Sequence, residues 1–186
     1  RLCHASSVVA LLEMIGSGAV SNQVADVAEA DTIIVIGANP TVNHPVAATF
    51  IKNAAKAGKN LIVLDPRKND LSRHATHYLQ FKPDTDVALL NAIMKSIIDN
   101  NLIDDKFISE RTTDFNDLKS HLEDFSPEKM SSICGIDASI IHEVARIYAS
   151  SPASIIFWGM GVSQHVHGTD NARALISLAL MTGQVG

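Results

Sequence analysis

Aromatic residues are scarce, at 5% of the chain, and only two cysteines occur, Cys3 and Cys134. Two cysteines exclude a disulfide scaffold and cannot build a zinc site by themselves; one disulfide would be the limit, and free thiols are the expectation. Basic charge is short as well. Fifteen Lys and Arg against twenty Asp and Glu leave a formal net charge of −5, so there is no basic surplus to neutralise a nucleic-acid backbone. A small basic pocket for an anion remains compatible with that balance. Long apolar runs are missing too: runs such as Ile33–Ile36 and Leu61–Leu64 have the length of strands and fall far below the ~18 residues of a membrane span. No charged segment followed by an apolar stretch and a cleavage site precedes the first amphipathic stretch. The sequence opens on Arg1 and closes on Met181-Thr-Gly-Gln-Val-Gly186 directly after an amphipathic segment, the pattern expected of a piece of a longer polypeptide. What is present, 46% hydrophobic and 19% charged residues over 186 positions, suits one soluble globular domain with a full core and excludes disorder.

Strand and helix signals alternate. Ser6 or Ser7 is suited to cap a helix running to about Ile15, closed by Gly16-Ser-Gly18. A short helix over about Gln23 to Ala30 leads into Thr32-Ile-Ile-Val-Ile36, whose β-branched residues mark a buried strand. Asn39-Pro40 breaks the chain, Pro45 opens a helix ended by Gly58, and Leu61-Ile-Val-Leu64 is a second buried strand, which completes a βαβ unit. Tyr78 to Phe81 reads as a third, shorter strand. The segment from about Thr85 to Asp99, capped by Asp84 or Thr85, carries Val87, Leu90, Met94 and Ile97 on one face. Three or four helices are expected between about Asp104 and Ala149, the last of them with Ile141, Val144, Ile147 and Tyr148 inward. Ser154-Ile-Ile-Phe-Trp158 is a further buried strand, and a final helix runs from about Gly168 to Thr182. Short apolar strands separated by helices specify an α/β fold: a three-layer α/β/α domain with a mainly parallel, Rossmann-like sheet, spanning 1–186 as one unit.

In such sheets ligands sit beyond the carboxyl ends of the strands. Those positions hold Gly37-Ala38-Asn39-Pro40, Asp65-Pro66-Arg67, Lys82-Pro83-Asp84-Thr85-Asp86 and Gly159-Met160-Gly161. Each suits a nucleotide: glycines allow backbone to approach a pyrophosphate, Asp accepts paired N–H groups or ribose hydroxyls, and Arg67 can fork onto phosphate oxygens. Taken singly, each turn is better explained as an ordinary turn, and Asp84 as a helix cap. Four of them at one edge favour a nucleotide site. The first turn lacks Gly-x-Gly-x-x-Gly, which disfavours ordinary NAD binding.

Of the histidines, the pairs His74/His77 and His165/His167 lack companion ligands and read as surface or supporting residues. His121 and His142 fall in helical segments and read as structural, and His44 stands before Pro45. Cys3-His4 is different. A thiol just ahead of a helix N-terminus is placed to serve as a thiolate ligand or nucleophile, with the neighbouring imidazole available to relay a proton.

Arg1-Leu-Cys-His-Ala-Ser-Ser-Val-Val-Ala10, Gly16-Ser-Gly-Ala-Val-Ser-Asn22, Gly37-Ala-Asn-Pro-Thr-Val-Asn-His-Pro45, Asp65-Pro-Arg67, Asp84-Thr-Asp86-Val-Ala-Leu-Leu90 and Trp158-Gly-Met-Gly-Val-Ser-Gln164 together resemble, in order along the whole chain, the catalytic alpha subunit of molybdenum- or tungsten-dependent formate dehydrogenases. These belong to the molybdopterin oxidoreductases of the dimethyl-sulfoxide-reductase type. The resemblance implies that Cys3 is the protein ligand to the metal and that His4 assists proton transfer from formate. It implies that Gly37, Asn39, Asp65, Pro66, Arg67, Pro83, Asp84, Asp86, Gly159, Met160, Gly161 and Gln164 bind molybdopterin guanine dinucleotide. The implied parent oxidises formate to carbon dioxide, carries an iron–sulfur cluster outside this chain, works with its remaining domains and with electron-transfer subunits, and is cytoplasmic or periplasmic. No nucleic acid and no membrane span are expected. The isolated 186 residues are expected to be inactive.

The chain departs from the pattern at Ala5-Ser6, where relatives commonly have Gly-Pro. Two alternatives stand beside the formate reading. One is a relative such as formylmethanofuran dehydrogenase or nitrate reductase, the latter disfavoured by His4 where periplasmic-type enzymes generally have methionine. The other is a noncatalytic nucleotide-binding structural domain, which would not be expected to keep Cys3-His4 with Asp65-Pro-Arg67.

Overall fold

The computed structural model describes residues 2–186. Four strands, β1 (Thr32–Ile36), β2 (Asn60–Leu64), β3 (His77–Leu79) and β4 (Ser154–Trp158), form one sheet in the order β3-β2-β1-β4, with every neighbouring pair parallel. The helices are α1 (Ala5–Ile15), α2 (Pro40–Asn43), α3 (Pro45–Lys56), α4 (Asp86–Asp99), α5 (Asp105–Arg111), α6 (Phe115–His121), α7 (Pro127–Cys134), α8 (Ala138–Ser150), α9 (Met160–Ser163) and α10 (Gly168–Met181).

The strands form because their side chains are wanted on both faces. Ile33 and Val35 of β1 with Leu61 and Val63 of β2 join Val27, Ile51 and Leu71 on one side, and Ile34, Ile36, Ile62 and Leu64 join α4, α8 and α10 on the other. All five residues of β1 are buried, the signature of a central parallel strand covered by two helical layers. Burying each such side chain stabilises the fold by about 1.5–3 kcal/mol. A smaller cluster of Ala10, Leu11, Ala172 and Ile176 fastens α1 to α10. From β1 the chain crosses through α3 to β2 on one side. The long helical excursion after β3 returns at β4 on the other side of β1, so the switch point lies between β1 and β4.

Several local expectations are corrected. Ser6 and Ser7 lie inside α1, whose N-cap is His4 with no side-chain cap; both hydroxyls are engaged across the fold instead. Asn39-Pro40 opens the one-turn helix α2, with proline at its first position where no N–H is needed. The segment before β1 is a 3-10 turn, Val24–Ala28. The third strand stops at Leu79, because the main chain of Lys82 turns away to bond the carbonyl of Cys134 at 2.8 Å. α4 is buried on nearly all sides, Leu89, Ala92 and Ile93 included, since it lies between the sheet, α7, α8 and α10. Ile147 is only partly buried.

Candidate functional site

The carboxyl ends of the strands open on a cavity of about 750 Å³. Gly37, Asn39, Asp65, Pro66, Arg67, Pro83, Asp86, Gly159, Met160 and Gly161 all line it, so ten of the residues singled out from the sequence share one space. Asp84, Gln164, Cys3 and His4 do not line it. Asp84 sits at a left-handed φ of 65° with its carboxylate 3.6 Å from Nδ1 of His165, and His165 lines the cavity.

At the switch point the turns after β1 and β4 are locked together by main chain. The Gly161 N–H donates to the Gly37 carbonyl at 2.9 Å and the Gly159 N–H to the Ile36 carbonyl at 3.2 Å. A Cβ on Gly161 would lie 2.7 Å from the Gly37 oxygen, and one on Gly37, whose φ is +56°, would lie 2.8 Å from the carbonyl carbon of Gly161. The glycines are therefore required for the two turns to approach each other.

The opposite wall is polar. Asp65 Oδ1 accepts from the Arg67 N–H at 2.8 Å, and Oδ2 accepts from Asn69 Nδ2 at 3.4 Å. That same Nδ2 reaches the Ala38 carbonyl at 3.4 Å, which ties the two turns together. The Tyr78 hydroxyl donates to the Asp65 carbonyl at 2.9 Å. Burial pushes the Asp65 carboxyl above its ordinary value against the opposing pull of the Arg67 and Asn69 hydrogen bonds and the Arg67 charge. Burial does the same to Asp86, 4% exposed in the first turn of α4, with His165 opposing. The exposed Arg67 guanidinium has no ion pair among the described residues. A partly desolvated carboxylate with lone pairs left over, a free guanidinium and a wall of main chain together suit a ligand with an N–H-bearing heterocycle at one end and phosphate at the other. The cavity lies within the usual size of small-molecule sites, about 300–1,000 Å³.

Cys3 and His4 lie beyond the glycine wall. The exposed Cys3 Sγ is 3.3 Å from Met160 Sδ. Gln164 Nε2 donates to the Cys3 carbonyl at 3.3 Å and stands 3.9 Å from the sulfur. Met160 therefore faces the cavity and Cys3 together. α1 is joined to α9 by hydroxyls: Ser6 Oγ donates to the Ser163 carbonyl at 2.6 Å, the Ser7 and Ser163 hydroxyls are 2.5 Å apart, and Trp158 Nε1 donates to Ser7 Oγ at 2.9 Å. Among the described residues no group of three or more His, Cys, Asp or Glu is gathered as for a metal. A soft sulfur ligand held against Met160, which lines the nucleotide-sized cavity, is compatible with a metal held in part by a non-protein ligand.

Asn69 and the α9 helix escaped the sequence reading, and His165, read there as a surface or supporting residue, lines the cavity beside Asp84. Asn69 had a signal, because an Asn ahead of Asp70-Leu71 caps a 3-10 turn, and its Oδ1 accepts from the Leu71 N–H at 3.0 Å. One other constellation resembles a site and is structural. Ser96 Oγ, His142 and Glu128 stand in line at 2.7 and 2.9 Å, but Ser96 is 1% exposed, and the chain of bonds joins α4, α8 and α7. The His142 hydrogen bond holds the Glu128 carboxyl below its ordinary value. Among the described residues no helix is long and apolar enough to cross a membrane.

The molybdopterin oxidoreductase family model matches residues 1–186. The chain is 41% identical over its whole length to the F420-dependent formate dehydrogenase subunit alpha of Methanocaldococcus jannaschii, covering 28% of that protein. It is 39% identical to formate dehydrogenase H of Escherichia coli, again over its whole length and 26% of that protein. The chain thus spans about a quarter of the length of these relatives. Its fold matches acetylene hydratase from Pelobacter acetylenicus with a TM-score of 0.85 and 27% identity, over 97% of this chain and 24% of that one.

Proposed function

We propose, from the premise that this chain belongs to the molybdopterin oxidoreductase family, that it is the cofactor-binding domain of a formate dehydrogenase catalytic subunit. The observation that carries the reading is the pairing of Cys3-His4 with a nucleotide-sized cavity through one residue, Met160, which touches the Cys3 sulfur and lines the cavity. The names of the relatives at 39–41% identity supply the substrate.

On this reading the guanine dinucleotide end of the pterin cofactor occupies the cavity. Asp65 accepts from the guanine edge, Arg67 meets the pyrophosphate, and the Gly37–Asn39 and Gly159–Gly161 turns supply main chain. Asp86 and Pro83 close the floor, and Gln164 holds the segment that carries Cys3. Cys3 is the protein ligand to molybdenum or tungsten. When bound, the metal–pterin group supplies the acceptor for two electrons. Formate, HCOO⁻, gives carbon dioxide, one proton and two electrons; the His4 imidazole takes the proton and passes it to solvent, to which it is exposed. The electrons leave through an iron–sulfur cluster carried elsewhere in the parent, a cytoplasmic polypeptide working with electron-transfer subunits. The bare 186 residues have no such exit and no turnover of their own.

A second reading has a specific observation behind it: the same fold, at a TM-score of 0.85, serves a protein named as a hydratase, and on that reading the parent belongs to the family without acting on formate. Metal and pterin analysis of the full-length parent, with formate-dependent dye reduction, separates the two. We expect bound Mo or W, guanine-containing pterin and dye reduction by formate. Cys3→Ser replaces a soft thiolate by a hard hydroxyl, and should lower turnover by about 100-fold or more and alter the metal's spectrum. His4→Ala should lower turnover by about 100-fold with the spectrum kept. Wild-type turnover in Cys3→Ser, or dye reduction by residues 1–186 alone, would overturn the assignment of the pair.

A further inference from the structure

The two edges of the sheet are treated differently. β3 is a three-residue edge, His77–Leu79, with His77 against Glu143 at 3.4 Å; shortness and charge are the usual means of blunting an edge. β4 has neither. Ser154-Ile-Ile-Phe-Trp158 is uncharged, without proline, and paired on one side only. The Ala153 carbonyl accepts from Thr32 and the Gly159 N–H donates to Ile36, so in the parallel ladder the odd-numbered residues of β4 address β1 and the even-numbered ones face outward. At Ser154 the outward N–H is satisfied by Gln184 Oε1 at 2.7 Å. The outward N–H and C=O groups of Ile156 and Trp158 have no partner among the described residues. They open on a groove of about 790 Å³ whose other walls come from α1, α10 and residues 18–22, with Leu11, Val20 and Ile176 among its apolar lining.

We propose that this groove receives an extended segment of the same polypeptide, from outside residues 1–186, as a fifth strand on β4. The required occupant is a short run of main chain with N–H and C=O groups at two-residue spacing, matching Ile156 and Trp158, and apolar side chains against the groove. Two observations select a segment of the same polypeptide over a second copy or a foreign chain. The chain is about a quarter of the length of its relatives, so a parent of that size has ample chain to supply the strand. One outward position is already served from within, since Gln184 caps Ser154 and bonds the Ser151 carbonyl at 3.1 Å, with Val185 beside it in the groove.

The test is amide hydrogen exchange, resolved to single residues, on the full-length polypeptide alone at concentrations where light scattering gives a monomer. The Ile156 and Trp158 amides are expected to exchange at least about 100-fold more slowly than open-edge amides. Ile156→Pro removes an outward donor and leaves the β1 ladder intact, so it should release Trp158 protection, whereas Ile156→Ala should retain it. Exchange of both amides at the rate of open peptide would overturn the proposal. So would protection that appears only on dimerisation or only with another subunit present, and so would unchanged Trp158 protection in a folded Ile156→Pro variant.

Discussion

The cavity has two walls built on opposite principles. On the β1–β4 side the turns hold each other by main chain at 2.9 and 3.2 Å, and the space between them excludes even a Cβ. On the β2–β3 side the turns are held by side chains, with Asp65 linked to Arg67, Asn69 and, through Asn69, to Ala38. The first wall is fixed by what it leaves out and the second by the charge it keeps in a partly dry place. Damage to the first should therefore appear as lost stability, and damage to the second as lost binding.

Gly37→Ala tests the first half most severely. It sets a left-handed residue 2.8 Å from the Gly161 backbone, and overpacking plus left-handed strain should cost about 3–4 kcal/mol; urea unfolding at the stability of the wild type would remove the contrast. Asp65→Ala is the opposite case. It should leave stability within about 1 kcal/mol while weakening guanine-nucleotide binding about 10- to 100-fold, as read by titration calorimetry. An equal loss of folding would merge the two walls into one. Arg67→Ala, at an exposed and unpaired position, should change stability by less than about 0.5 kcal/mol. Its nucleotide affinity should fall several-fold and lose part of its salt dependence, and unchanged affinity would take Arg67 out of the polar wall.

The smallest effect sharpens the contrast through pH. Desolvation raises the folded-state pKa of Asp86 above its unfolded value, so the ionised carboxylate lowers stability at neutral pH, and that cost fades as pH falls through the raised pKa to below the unfolded value. Asp86→Asn should raise Tm slightly at pH 7, and the advantage should shrink to nothing in acid. A difference that widens on acidification would show that Asp86 is held by favourable contacts instead.

The sheet was legible where its strands are wanted on both faces. Ser154–Trp158 and Thr32–Ile36 have the bounds expected, because continuous β-branched or aromatic runs with turn residues at both ends leave few alternatives. β3 was displaced because a three-residue strand carries little pattern and Lys82 leaves the sheet for Cys134. The gathering of the strand-end turns followed from parallel topology alone. Their internal wiring did not: Asn69 reaches the Ala38 carbonyl 31 positions away, and Ser6 and Ser7, which have good cap chemistry, instead bond to Ser163 more than 150 positions away. Local chemistry identifies a hydroxyl or amide that seeks a partner; only the assembled fold says which partner is in reach. Gln164 is a further case of long reach, since its side chain donates to the carbonyl of Cys3, 161 positions away.

The short helix α9 is a lever arm. Its first residue touches both the Cys3 sulfur and the cavity, and its last is clamped to α1 by two hydroxyls. The sulfur is thus surveyed from the same baseline as the glycine wall, one helical turn away. A shift of the wall on seating a ligand would reach the Cys3 segment through these contacts. The spacing between the glycine wall of the cavity and the Cys3 sulfur is in this way a manufactured tolerance, set by four residues.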